Sequence, residues 1–416
     1  MYSKFRSTGS FGPLAAAGLL LLPCLIIGPA LGQETASTRI VENPAQAAAG
    51  VVKIDPVEMW RIGGEDDDVF FGTVGSIRAD ANGDLYVLDS QLSETHVYSS
   101  SGEFLRTIGG EGDGPGEVRN PGDMFLSEDG NICILQGFPG KIVELKPDGT
   151  PAGETVYSVG EGAAGQFTVL IRGLADGSGM LLGGIRMGAT GQQTYFLDRC
   201  DRQGKRIVSL TEKVVTINFA DLEMNEGASD FIWQRIAAGS DGRVFAAIPR
   251  NEYAISVFTS NGDLEKIIKR PYVSKNRDKQ EKQIAHRIQE GIGSNYPAPP
   301  KRIIIEDTQP DISQLTVMAD GRLWVQTSVG DQNAPDGCWV VLDVFTADGR
   351  FEKQVALSGN HSATKDGLIL LADGRAMVIV GALDAWLNQM GAVQEEADDA
   401  AESSPLEIIC YQLEID

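Results

Sequence analysis

Apolar positions along the chain fall in short runs rather than at helical spacing. The runs LYVLD, ICILQ, MLLGG, VFAAIP, LWVQT and AMVIV each follow an acidic or amide residue and a glycine. These pairs are Asn82-Gly83, Asp129-Gly130, Asp176-Gly177, Asp241-Gly242, Asp320-Gly321 and Asp373-Gly374. Such a pair supplies the positive φ that a tight β-hairpin needs, so each predicts a strand before it and another after it. A second turn follows in five cases, at Ser101-Gly102, Asp148-Gly149, Gln203-Gly204, Asn261-Gly262 and Asp348-Gly349. The glycine-to-glycine spacings are 19, 19, 27, 20 and 28 residues. Two hairpins at near-constant spacing define a repeated four-stranded unit, the blade of a β-propeller. The pattern places blades at 75–110, 122–160, 166–215, 230–272, 312–358 and 366–416.

The sixth unit lacks the second turn, and its third strand is IICYQLEID. A single unpaired strand, VVKIDPVEMWRI at 51–62, stands ahead of the first unit. A propeller that does not close leaves exposed strand edges. The unpaired strand is therefore expected to complete the sixth blade. The expected fold is all-β: a six-bladed β-propeller of four-stranded blades over 51–416, closed by the N-terminal strand. One helical insertion interrupts it at about 274–292, within SKNRDKQEKQIAHRIQEGIG. It carries Lys275, Arg277, Lys279, Lys282 and Arg287, and Ile284 and Ile288 lie one turn apart to dock it.

The runs WRIGGEDDD, ADANGDLYVLD, TIGGEGDGPGEVRNP and ADGRLWV resemble the exported six-bladed propellers of the NHL-repeat and TolB-like kind, widespread in bacteria. The resemblance covers 51–416 and implies architecture. It implies no single activity, since related propellers bind proteins, peptides, sugars or metals.

Residues 1–32 read as a signal peptide. Lys4 and Arg6 precede an apolar run from Leu14 to Ile27, and Ala30 and Gly32 form a small-residue cleavage site before Gln33. The run is short for a spanning helix of about 20 residues, the alternative being a retained anchor. The expected location is therefore exported, periplasmic or extracellular, with cleavage near Gly32-Gln33 and no membrane span afterwards. Residues 33–50 are polar and alanine-rich and read as a linker. The net charge of −23 argues against nucleic acid as a partner, because that binding depends on Lys and Arg displacing counterions. Cys133, Cys200, Cys338 and Cys410 form no CxxC and lie in apolar runs, as buried thiols do. Export permits disulfides, and Cys338 with Cys410, on equivalent strands of neighbouring blades, is the first pair to consider.

Propeller geometry puts the two hairpin turns of each blade on one face. The loops after second strands and the links between blades fall on the other face, and these are long and irregular. Binding residues concentrate on variable loops held by a rigid scaffold. The candidates at the channel mouth are Asp123, Arg172, Gln234, Gln314 and Asp366 at inner-strand starts, Arg250 and Gln326 at second-strand ends, and His361 between the last two blades. The loop GGEGDGPGE, with Glu111, Asp113 and Glu117, leaves an anion cradle or a calcium site open but opens no helix and lacks the spaced ligands of an EF-hand, and the resemblance implies a structural exit from the first blade. No GxSxG, HExxH or Walker loop occurs, and the three histidines are too scattered for a three-His zinc site. No cofactor is required, though carboxylates and amides at the mouth leave Ca²⁺ or another divalent ion open. The expected function is a non-catalytic, monomeric propeller binding a protein, peptide or glycan on its long-loop face. The alternative is a metal-dependent lyase or lactonase-type hydrolase with an ion in the channel.

Overall fold

The computed structural model describes residues 38–414, apart from 66–68, 160–166, 178, 189–190, 331, 333 and 393–404. The expected signal peptide and the acidic stretch Gln394–Ser404 lie outside the described residues. Three strands precede the first blade: β1 (Arg39–Glu42), β2 (Val51–Ile54) and β3 (Val57–Gly63). Blade 1 is β4 (Val74–Ala79), β5 (Leu85–Asp89), β6 (Glu94–Tyr98) and β7 (Phe104–Gly109). Blade 2 is β8 (Pro121–Leu126), β9 (Ile132–Gln136), β10 (Lys141–Leu145) and β11 (Pro151–Val156). Blade 3 is β12 (Phe167–Ala175), β13 (Met180–Met187), β14 (Gln192–Cys200) and β15 (Arg206–Thr216). Strand β16 (Glu223–Asn225) and helix α1 (Glu226–Ser229) lead to blade 4: β17 (Ile236–Ala238), β18 (Val244–Ala246), β19 (Ala254–Phe258) and β20 (Leu264–Lys269). Helix α2 (Lys279–Gly293) and β21 (Arg302–Ile304) lead to blade 5: β22 (Ile312–Val317), β23 (Leu323–Thr327), β24 (Cys338–Phe345) and β25 (Phe351–Ser358). Blade 6 is β26 (Gly367–Leu370), β27 (Arg375–Val380) and β28 (Glu407–Gln412), with helix α3 (Ala382–Gln389) between the last two.

The protein is a six-bladed β-propeller, as the turn spacing predicts. All eleven turn glycines named above have φ between +74° and +93°. The turns are wider than a two-residue hairpin. In the first, Gly83 N–H donates to Asp80 O and Asp80 N–H to Asp84 O, a three-residue loop closed by a glycine bulge. The Asp80 carboxylate also accepts from the backbone of Asn82 and Asp84. Second strands are mostly apolar because both of their faces are covered: every residue of β5 and β9 is buried, including the terminal Asp89 and Gln136. The core is a series of blade-to-blade layers, such as Tyr86, Leu88 and Val97 of blade 1 against Met124, Ile132 and Ile134 of blade 2.

Closure follows the expectation, with β3 pairing antiparallel to β28 at the outside of blade 6. Two corrections concern the residues ahead of it. The run at 51–62 is not one strand. It breaks at Pro56, which has no N–H to offer a ladder, and β2 joins blade 5 instead, parallel to β25. The supposed linker is also partly a strand: β1 lies parallel to β20 on blade 4. Blades 4 and 5 therefore have five strands each. Asn43 fixes the step between them. Its side-chain amide donates to Lys269 O (3.2 Å) and Gly349 O (3.0 Å), and its carbonyl accepts from Phe351 N–H (2.8 Å). The N-terminal arm thus runs along the outer edges of three successive blades before it closes the ring.

A second repeated device is invisible in any one blade. The second-turn glycine of each of blades 1 to 5 rests on the outer strand of the blade before it. A Cβ at Gly102 would lie 2.6 Å from Trp60, at Gly149 2.9 Å from Ile108, and at Gly204 2.7 Å from Thr155. At Gly262 it would lie 2.6 Å from Val208, and at Gly349 2.8 Å from Ile268. These glycines meet two demands at once, a left-handed backbone and a close approach.

Two further expectations change. Helix α3 joins α2 as a second substantial helix, where the sequence marked one. The four described cysteines are all free thiols, so Cys338 and Cys410 are not bridged. Burial pushes the Cys133 thiol up to about 12, as for an inert core residue.

The double demand on the second turn separates two glycines in blades 2 and 4. Gly262→Ala meets both backbone strain and a collision and is expected to cost about 3 kcal/mol. Gly130→Ala, at φ +78° with nothing within 4 Å of the added Cβ, meets strain alone and should cost about 1 kcal/mol. Denaturant unfolding of both variants checks this, and equal losses would contradict the docking role.

Candidate functional site

The innermost strands β4, β8, β12, β17, β22 and β26 ring the central channel. Four of them carry an irregularity at the same place, between Val74 and Ser76, Pro121 and Asp123, Leu170 and Arg172, and Ile312 and Gln314. A bulge inserts one residue and re-aims the side chain after it. Asp123, Arg172 and Gln314 therefore occupy one level of the channel wall in three different blades. Ser76 is the fourth member, and its hydroxyl donates to Met124 O (3.4 Å).

The structure brings Asp123 and Arg172 together and adds a residue the sequence reading missed. Asp123 is 1% exposed. It receives Arg78 Nη2 (3.1 Å), Arg172 Nη1 (3.3 Å) and the backbone N–H of Gly173 (3.0 Å). One carboxylate thus ties the inner strands of blades 1, 2 and 3. Burial pulls the Arg78 guanidinium down to about 10, with Asp123 opposing that shift and Arg172 adding to it. Arg78 also donates to its neighbour's carbonyl, Ile77 O. Arg172 differs: its contact with Asp123 is an ion contact only, it donates no hydrogen bond among the described residues, and its Nε is buried without a partner. Gly183 lies between Arg172 and the ring of Trp233. A Cβ there would be 3.4 Å from Arg172 Cβ and 3.6 Å from Trp233. The Trp233 ring packs at 4.8 Å from Phe231 and 6.0 Å from Tyr195, and the next residue, Gln234, is exposed.

The other candidates are placed apart. Arg250 is not a free rim residue. It donates to Glu226 Oε1 (3.0 Å) and Thr308 O (2.8 Å), and Arg277 holds the other side of Glu226 at 2.6 Å. Burial pushes the Glu226 carboxyl up, but these hydrogen bonds and that from Glu306 N–H hold it below its ordinary value. Asp366 caps its own loop, accepting from Ser362 N–H and Gly381 N–H. His361 Nε2 meets Tyr411 OH at 3.0 Å, and its ring stands edge-on to Trp339. Gln314 and Gln326 are half-buried neighbours on paired strands.

Around the mouth the long connections form a platform. β16 pairs with β21. The N-terminus of α2 carries a capping box from Asp278 and Glu281. At the far end of α2, Arg287 donates to Ala392 O, beyond α3, and Tyr296 meets Gln193 of blade 3. The blade 1 exit loop is internally satisfied, with Arg119 on Asp113 and Glu111, and Glu117 on Gly114 N–H. The donor set does not fit a channel cation. Asp123 is already engaged by two guanidinium groups, and among the described residues no three His, Cys, Asp or Glu side chains stand close enough to share an ion. No helix among the described residues is long and apolar enough to cross a membrane.

Residues 65–157 match a family described as a six-bladed β-propeller, DUF5128. No curated protein matches. Among solved structures, a putative exported protein from Bacteroides fragilis is similar at 13% identity, with 90% of this chain and 100% of that one covered and a TM-score of 0.43. A DUF4221 member from Bacteroides vulgatus is similar at 10% identity over 87% and 99%, with a TM-score of 0.45. Virginiamycin B lyase from Staphylococcus aureus gives 10% identity over 85% and 98%, with a TM-score of 0.39. None is similar enough to carry an argument about what this chain binds.

The His361 contact has a measurable consequence. Burial, outweighing the opposing pull of Asp366 and Glu407, holds the imidazole below its ordinary value of 6.5. Below pH 6.5 the unfolded chain therefore binds more protons at this site than the folded one, so stability falls as pH drops through that window. His361→Gln, which retains a hydrogen-bonding group toward Tyr411, should flatten the difference between pH 7.5 and 5. Thermal melts across that range check it, and an unchanged slope would refute the assignment.

Proposed function

We propose that the protein is an exported, non-catalytic propeller that binds a protein, peptide or glycan at the long-loop mouth of its channel. The observation that carries this reading is the difference between the two faces. One face consists of uniform three-residue turns. The other gathers α1, α2, α3 and the β16–β21 pair and braces them with buried ion pairs at Glu226. A surface ordered in advance loses little conformational freedom on binding. Arg78 and Arg172 converge on Asp123 at the inner strands of blades 1 to 3. The signal-like N-terminus supports export. The lyase or hydrolase alternative finds no support in the donor set, and His361, His96 and His286 have no serine or cysteine partner among the described residues.

Arg250 is unsuitable for testing this, since its loss would damage the platform. Gln234, exposed at the mouth, and Lys146, exposed in a turn on the opposite face, are suitable. The chain lacking residues 1–32 is screened against peptide and glycan arrays, and hits are measured in solution. Gln234→Arg should weaken binding about tenfold or more without lowering the melting temperature, while Lys146→Glu leaves it unchanged. Equal affinities for both variants, or no ligand retained, would overturn the reading.

A further inference from the structure

We infer that Arg172 is the recognition group of this site and that its ligand presents a carboxylate. This rests on the long-loop-face reading above and narrows it to one chemistry. A guanidinium has five N–H donors in a rigid fork. The other interior arginines donate hydrogen bonds from their forks, although Arg199 Nε and Arg250 Nε, like Arg172 Nε, are buried without one. Arg199 donates to the carbonyls of Gly242 and Ser260, Arg235 to Asp230 and Phe231, and Arg270 to Asp343 and Pro271. Arg172, largely buried in the channel wall, donates none among the described residues. Its one charge partner, Asp123, is shared with Arg78 and Gly173 N–H. An interior polar group left unpaired destabilises a fold, so this arrangement costs the protein something that a bound ligand would return.

The chemistry of that ligand follows from charge and shape. Two guanidinium cations and one carboxylate leave one positive charge, which a monoanion balances. Arginine's planar fork matches a carboxylate through two parallel hydrogen bonds. The wider acidity of the chain does not prevent this, because exposed charges are screened within about 8 Å at physiological salt.

Calorimetry on the chain lacking residues 1–32 tests the inference, with glucuronate and benzoate as probes, glucose and benzyl alcohol as neutral counterparts, and inorganic phosphate as a non-planar anion. The carboxylates should bind with a Kd near about 1 mM or below, and their neutral counterparts should not. Arg172→Gln should weaken the carboxylates about tenfold or more, Arg172→Lys should fall between, and Asp123→Asn should strengthen them by freeing the second guanidinium. The ligand-free melting temperature of Arg172→Gln should stay level or rise, since the variant removes an unpaired group. A lower melting temperature with unchanged carboxylate affinity would make Arg172 a structural brace and overturn the inference. Phosphate binding more tightly than the carboxylates, or no carboxylate bound at about 10 mM, would also overturn it. A peptide or glycan that binds at the mouth equally well in Arg172→Gln would sink this inference and leave the proposed function standing. Loss of that binding in no mouth variant at all would sink both.

Discussion

The structure depends on one antiparallel pairing, that of β3 with β28. A propeller is a ring of sheets whose faces pack on their neighbours, and each layer of the core is shared by two blades. Unless the last blade is complete, the layer between blades 6 and 1 is missing its outer wall. Ile62 and Trp60 of β3 supply it, packing with Phe71, Leu85 and Tyr98 on one side and Met377 and Ile408 on the other. Trp60 also carries the second turn of blade 1 at Gly102 and donates its indole N–H to Ser100 O. The closing strand therefore does for blade 1 what each outer strand does for the blade after it.

The ring is reinforced further back along the same arm. β1 and β2 add parallel strands to the outer edges of blades 4 and 5, and Asn43 locks the crossing between them. Parallel addition covers an edge that would otherwise offer unpaired N–H and C=O groups. Release of the arm would uncover three blades together, so closure and edge protection form one cooperative unit.

Much of this was legible in the sequence, because turn chemistry is local. A glycine after Asp, Asn or Ser announces a left-handed position whatever the rest of the chain does, and the count of such glycines gives the blades. The arm was not legible, since RIVE at 39–42 carries no turn signal and its partner, β20, lies far along the chain. Helix α3 was missed for a related reason: ALDAWLNQ is short and opens after Gly381 without a side-chain cap. At the site, Asp123, Arg172 and Gln314 were found because inner-strand starts repeat. Arg78 was missed because it stands two residues further along β4 than the matching strand-start position at Ser76. Arg250 was misread because its partner Glu226 belongs to a connection with no repeat to align.

Buried charge in this protein falls into two kinds, and the contrast isolates the channel. Asp343 is held by Tyr253, both sides of the Arg270 fork and Gln354, and Arg270 is further enclosed by the rings of Tyr253, Tyr272 and Phe351. Asp198, in the third strand of blade 3, is likewise held by Tyr157 and Arg186. Each network links two blades, as a brace should, although Asp198 Oδ1 is buried without a hydrogen bond. Breaking one partner would leave a buried charge exposed to its full desolvation cost. Asp123 begins as the same kind of brace, tying three inner strands, but its second arginine is surplus to it. That arginine stands at the inner-strand bulge of blade 3 and donates no hydrogen bond among the described residues. In the proposed reading, the inner-strand position that braces blade 2 through Asp123 serves recognition in blade 3 through Arg172.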